Sequence, residues 1–178
     1  AVAAMHADNA HIIGVCGASA WEWFDWRLTD INELAGAYLA ADETRGGYEA
    51  NWLGACRAAS VHGMAVLDGS VLVARPELLA EIPFEVVFSP VGRLMEEVWT
   101  NAAYQQGYRL TVCRDLGVVL PAPIEASQED KAQAFMRLQE IHRFPLFEEK
   151  GRAEVRGSVP VQGLTEGANI LAHFCERP

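Results

Sequence analysis

The run Met64-Ala65-Val66-Leu67-Asp68-Gly69-Ser70-Val71-Leu72-Val73-Ala74 carries the strongest strand signal in the chain, and an aspartate and a glycine interrupt it. An acid inside an apolar strand is costly unless it is hydrogen-bonded or part of a site. A glycine inside a strand marks a bulge or a close approach of another group to the backbone. Asp68-Gly69 therefore predicts one of two things: a turn that Asp68 caps, or a binding edge that both residues line. Arg75-Pro76 ends the run, and Pro76 suits the first turn of a short helix through Pro76-Glu77-Leu78-Leu79.

A second helix is predicted over 94–106, LMEEVWTNAAYQQ, with Met95, Val98, Trp99 and Ala102 on one apolar stripe. Gly107 is a suitable residue just past its end. Glu96 and Glu97 sit about 100° apart around a helix, so they do not face one substrate together. Glu97, Asn101 and Tyr104 share the face opposite the stripe. One reading is a solvated polar face. The other is a general base, kept ionised by the positive end of the helix dipole.

The remaining pattern is mixed. HIIGVCG (11–17) reads as a short buried strand, and LTDINELAGAYLAA (28–41) has helical composition. Residues 42–60 read as a long, partly irregular loop, and 82–92 as a strand or loop. Residues 108–113 and 116–120 read as strands. Residues 127–143 form an amphipathic helix by spacing, with Phe135, Leu138 and Ile141 in register. The order predicts an α/β fold, a mixed sheet flanked by helices, in one domain over 1–148. Residues 149–178 read as a C-terminal tail with little periodicity.

Composition narrows the function. The chain has 178 residues and a net charge of −10. An acidic surface repels phosphate backbones, so no nucleic-acid partner is expected. No apolar run is long enough for a transmembrane segment. Ala18-Ser19-Ala20 mimics a signal-peptidase site, but His6, Asp8 and His11 break the segment before it, so no signal peptide is expected. Cys16, Cys56, Cys113 and Cys175 show no metal-ligand spacing, and reduced thiols in a cytoplasmic protein are the default expectation.

Two further groups are candidates. Trp21, Trp23, Phe24 and Trp26 interleave with Glu22, Asp25 and Arg27. Indole faces stack on sugars, and they equally fill cores or subunit interfaces. His62 precedes Gly63 beside the Asp68 strand and is placed to face the same cleft.

Taken in order, the pieces Leu67-Asp68-Gly69, Ala74-Arg75-Pro76, Ile82-Pro83-Phe84-Glu85, Glu96-Glu97 and Ala103-Tyr104-Gln105-Gln106-Gly107-Tyr108-Arg109 form a pattern. That pattern resembles the acceptor half of GT-A-fold glycosyltransferases of the family 2 type. His11 to Gly17 resembles the strand after the metal-binding Asp-x-Asp segment of that fold. The similarity covers about residues 1–120.

The resemblance implies a fold like the C-terminal part of a GT-A enzyme. It implies transfer from a nucleotide-sugar donor to an acceptor hydroxyl, with a divalent metal (Mg or Mn) at the leaving diphosphate. Glu97 matches the catalytic base and Glu96 the acid before it, while Asp68 and Gly69 match the acceptor-side strand. Trp21, Trp23, Trp26 and His62 would line the acceptor cleft. Ala7-Asp8-Asn9 is not the Asp-x-Asp motif, and Pro121 stands where many members place a metal-ligating histidine. The expectation is thus a donor half lying elsewhere or a relative without transfer activity. A non-catalytic carbohydrate- or protein-binding module is the alternative, and a homo-oligomer remains open. A small hydrolase using Asp68 and Glu97 ranks last, for want of a nucleophile motif.

Overall fold

The computed structural model describes residues 5, 9–21, 26–42, 44–55, 58–83, 95–120, 136 and 156–174. They form a mixed α/β fold built mostly of strands. In chain order these are β1 (Ile12–Gly14), β2 (Cys16–Ala18), β3 (Leu34–Asp42), β4 (Gly47–Leu53), β5 (Ser60–His62), β6 (Val66–Leu67) and β7 (Leu72–Ala74). Helices α1 (Pro76–Glu81) and α2 (Met95–Gln105) follow, then β8 (Leu110–Cys113), β9 (Val119–Leu120), β10 (Arg156–Val161) and α3 (Leu164–Phe174).

The strands make two sheets, one in the order β5-β8-β1-β7 and one in the order β10-β4-β3-β2-β6, with β9 beside β3. β1 runs parallel to β8 and antiparallel to β7. The chain passes between the sheets twice close together. It leaves β1 for β2 across Val15, and returns from β6 to β7 across Asp68-Gly69-Ser70-Val71. Asp68 donates its N–H to the Cys16 carbonyl at 2.9 Å, so the two crossings are tied to each other.

Each crossing lies over packed apolar residues. Ile12, Met64, Leu67, Leu78, Ile82, Trp99, Leu110 and Val112 form one buried cluster. Val15, Cys16, Ala18, Trp21, Trp26, Leu34, Leu53, Val66 and Val98 form another. Helix α2 contributes Trp99 to the first and Val98 to the second, as its predicted apolar stripe requires. The buried Cys16 and Cys113 behave as the small apolar residues their context predicts.

Three readings of the sequence change. Leu34–Asp42, expected to be helical, is the long strand β3, whose first four residues are all buried. A continuous apolar run of that length fits a buried helix or a buried strand equally well, and the pairing with β4 decides it. The expected loop over 42–60 contains β4. Asp42 caps the turn before it, accepting the N–H of Thr44 at 3.0 Å and of Arg45 at 3.2 Å. The glycines at 46 and 47 are hairpin punctuation rather than loop filler; Gly46 holds φ +67°.

Residues 156–174, read from sequence as part of a tail, form β10 and α3. β10 pairs with β4 from Arg156↔Leu53 to Val161↔Tyr48. Val161 and Leu171 join Ala37, Leu39 and Ala50 in a third cluster. The predicted helix over 127–143 lies outside the described residues except for Met136, as do residues 84–92. Among the described residues no helix is long and apolar enough to cross a membrane.

Candidate functional site

Helix α2 packs against β6, and two polar side chains make the join. The Thr100 hydroxyl accepts the Leu67 N–H at 3.1 Å and lies 3.1 Å from the Glu97 carbonyl, to which it can donate. Asn101 Nδ2 donates to the Ala65 carbonyl at 3.0 Å. Trp99 Nε1 donates to the Ile82 carbonyl at 2.8 Å from the other side of the helix. The face expected to be solvated is therefore buried at Glu97, Thr100 and Asn101, and opens only at Tyr104.

Beyond β6, Asp68 accepts the Ser70 N–H at 2.9 Å and the Ser70 hydroxyl on the same oxygen. This is an Asx turn, the first of the two outcomes predicted for Asp68-Gly69. Gly69 is there for the second reason a strand glycine occurs, a close approach. A Cβ at position 69 would stand 2.7 Å from Glu96 Cβ and Cγ, so the stem of Glu96 occupies that space. Asp68, Gly69, Glu96 and Glu97 are thus brought together, just past the carboxyl end of β1.

Glu97 is 9% exposed, and its Oε2 is fully buried with no hydrogen-bond partner among the described residues. Burial pushes its carboxyl up from 4.5 to about 8. Its own backbone amide opposes the shift, Asp68 and Glu96 add to it, and Arg27 opposes it again. Magnitudes decide against the expectation that the helix dipole keeps this acid ionised. The dipole is worth about 0.3–1 kcal/mol, whereas a change from 4.5 to about 8 corresponds to roughly 5 kcal/mol. Glu97 is mostly protonated at neutral pH. Cys16, at the other crossing, has its thiol pushed well up by burial and then by Asp68.

Trp21 and Trp26 are core residues, 9% and 2% exposed, in the cluster that also holds Val66 and Val98. They back the acidic turn rather than offer open ring faces. Arg27 follows on the exposed side, its guanidinium carbon 5.9 Å from the Trp26 ring centre. Trp23 lies outside the described residues. His62 sits on β5 in the other sheet, with Nδ1 3.1 Å from the Thr111 hydroxyl. No hydrogen bond or ion pair joins it to Asp68, Glu96 or Glu97.

Sequence reasoning missed Thr100, Ser70 and Arg27. Thr100 carried a signal: a β-branched hydroxyl inside a helix, three residues after an acid, often bonds back to the backbone of the preceding turn. Ser70 two residues after Asp68 carried another, the Asx-turn spacing.

The acids described at this turn do not make an oxygen set for a dication. Asp68 is occupied by Ser70, and Glu97 favours its proton, whereas hard cations take several ionised or carbonyl oxygens. Among the described residues no group of three or more His, Cys, Asp or Glu side chains is placed to hold a metal ion. Comparison with protein families, with curated proteins and with solved structures finds no match.

Proposed function

We propose that the chain is the acceptor-side part of a glycosyltransferase of the GT-A type and that Glu97 is its general base. The reading rests on the resemblance in the order of motifs. The observation that carries it is a single one: a buried carboxyl whose Oε2 has no hydrogen-bond partner among the described residues, set beside Asp68-Gly69. Ligands of open α/β sheets gather beyond the carboxyl ends of parallel strands, and β1 and β8 are parallel.

In this reading the ionised form of Glu97 takes the proton of an acceptor hydroxyl. The hydroxyl oxygen forms a bond to the anomeric carbon of the donor sugar. The bond from that carbon to the diphosphate oxygen breaks, and the nucleoside diphosphate leaves with the electron pair. A base works best with a pKa near the operating pH, and about 8 meets that condition. The ionised minority of Glu97 at neutral pH is a stronger proton acceptor than an ordinary glutamate.

The test is release of nucleoside diphosphate by the full-length protein from a panel of uridine, guanosine and thymidine diphospho-sugars, each with sugar acceptors. Glu97→Gln is expected to lower turnover by about 10²–10⁴-fold. Unchanged transfer in Glu97→Gln ends the assignment of the base. Binding of free sugar without nucleotide or transfer would favour the non-catalytic carbohydrate-binding module instead.

A further inference from the structure

The chain carries 24 acids against 14 lysines and arginines, yet two arginines and a histidine gather at one place. That place is the amino end of β1 and β8, the end of the sheet away from Glu97. The backbone builds it. His11 donates its N–H to the Arg109 carbonyl at 2.9 Å, and Arg75 donates its N–H to the His11 carbonyl at 3.0 Å. Three strand ends are thereby pinned around one imidazole.

The side chains are then oriented by their own bonds. Arg75 Nε donates to the Ala10 carbonyl at 2.9 Å and Nη2 to Asn9 Oδ1 at 3.4 Å, which fixes the fork. His11 Nδ1 accepts the Arg109 N–H at 3.0 Å, and its ring stands edge-on to Tyr108 with centroids 5.2 Å apart. A nitrogen that accepts carries no proton, so the ring proton sits on Nε2, which is a donor.

Among the described residues the positive charge is not neutralised by an ion pair. Among the described residues the Arg109 guanidinium makes no hydrogen bond or ion pair, and no carboxylate stands at ion-pairing distance from Arg75. The acids nearby are otherwise disposed. Glu81 accepts the Tyr108 hydroxyl, and Glu77 acts on His11 only through space. Burial, Arg75 and Arg109 together lower the pKa of His11. Both guanidiniums act through space on the same imidazole, so an anion bound among them would offset their effect on it.

We propose that His11, Arg75 and Arg109 form a binding site for a phosphate-class oxyanion. The Arg109 guanidinium fork matches a pair of phosphate oxygens, Arg75 adds its charge and its remaining N–H groups, and His11 Nε2–H supplies a further donor. The ligand is either a free phosphate group or the phosphate of a lipid headgroup. Bound, it favours the imidazolium, so binding and protonation of His11 are coupled.

The experiment follows the His11 imidazole by NMR in the full chain across a pH series, at constant ionic strength, with and without inorganic phosphate. A parallel arm uses phosphatidylcholine vesicles with and without phosphatidic acid. Phosphate is expected to raise the His11 midpoint. Arg109→Gln is expected to weaken phosphate binding at least about tenfold; this variant keeps the main-chain bond to His11. A response to phosphatidic acid vesicles alone assigns the site to a lipid headgroup. A His11 midpoint that neither phosphate nor the vesicles move overturns the proposal, as does Arg109→Gln binding phosphate as tightly as the parent. None of these readouts depends on glycosyl transfer.

Discussion

The Thr100 hydroxyl accepts the Leu67 N–H at 3.1 Å and thereby fastens helix α2 to the strand that leads into Asp68. Both residues are fully buried, so water does not replace the bond if the hydroxyl is lost. Thr100→Val keeps the shape and leaves the Leu67 N–H unsatisfied. The expected cost is about 1–3 kcal/mol, the penalty of an unpaired buried polar group. Urea denaturation measures it as a lower midpoint with an unchanged slope. An unchanged midpoint would mean that the join does not depend on this bond.

Glu97 ties stability to pH in a direction opposite to most acids. Its folded value, about 8, lies above its ordinary value of 4.5. The folded chain therefore holds a proton that the unfolded chain releases. Stability is fully present below pH 4.5 and falls as pH rises to about 8, with a total on the order of 5 kcal/mol. Glu97→Gln removes this dependence. The variant is expected to be more stable than the parent at pH 8 and equal to it at pH 4. Equal melting temperatures at pH 8 would contradict the buried, proton-favouring environment.

Gly69→Ala brings a methyl group against the stem of Glu96, at 2.7 Å from its Cβ. The stem atoms sit close to the helix backbone and yield less readily than a side-chain tip. The expected cost is about 1–3 kcal/mol, as for overpacking elsewhere. Because Glu96 and Glu97 share the first turn of α2, the variant is also expected to shift the titration of Glu97. Thermal denaturation and the pH series on Glu97 check the two effects separately.

His11 adds an acid limb of the opposite sign. Its Nδ1 accepts the Arg109 N–H, which it does only when unprotonated, and its folded pKa is lowered from 6.5. The unfolded chain binds the proton first, so this contribution is complete above pH 6.5 and is lost as pH falls below it. In the Glu97→Gln background, where the larger opposing effect is gone, the urea midpoint is expected to fall between pH 7 and pH 5. Replacing His11 by Asn in that background should flatten this limb.

The elements with local signals were legible in the sequence. Pro76 opens α1, Gly107 follows the end of α2, and Asp68-Gly69 breaks β6 from β7 as the pattern required. The long strand β3 was not legible, since Leu34 to Ala41 is rich in alanine and leucine and only its pairing with β4 sets its conformation. Strand β10 was hidden for a similar reason. Arg156-Gly157-Ser158-Val159-Pro160-Val161 has weak strand composition, and the register with β4 supplies what the local sequence lacks. Of the candidate site, Asp68, Gly69, Glu96 and Glu97 meet. The burial that governs Glu97 was invisible, because spacing on α2 cannot show that Thr100 and Asn101 are bonded to β6. The tryptophans were weighed as platform or core, and Trp21 and Trp26 are core.

The central claim is that burial holds Glu97 protonated yet close to release at neutral pH. Carbon-13 NMR of the glutamate side-chain carboxyls, with Glu97→Gln used to assign the resonance, measures this directly. The account predicts that the Glu97 signal titrates near pH 8. A midpoint near 4.5, the value of an ordinary glutamate, would contradict it.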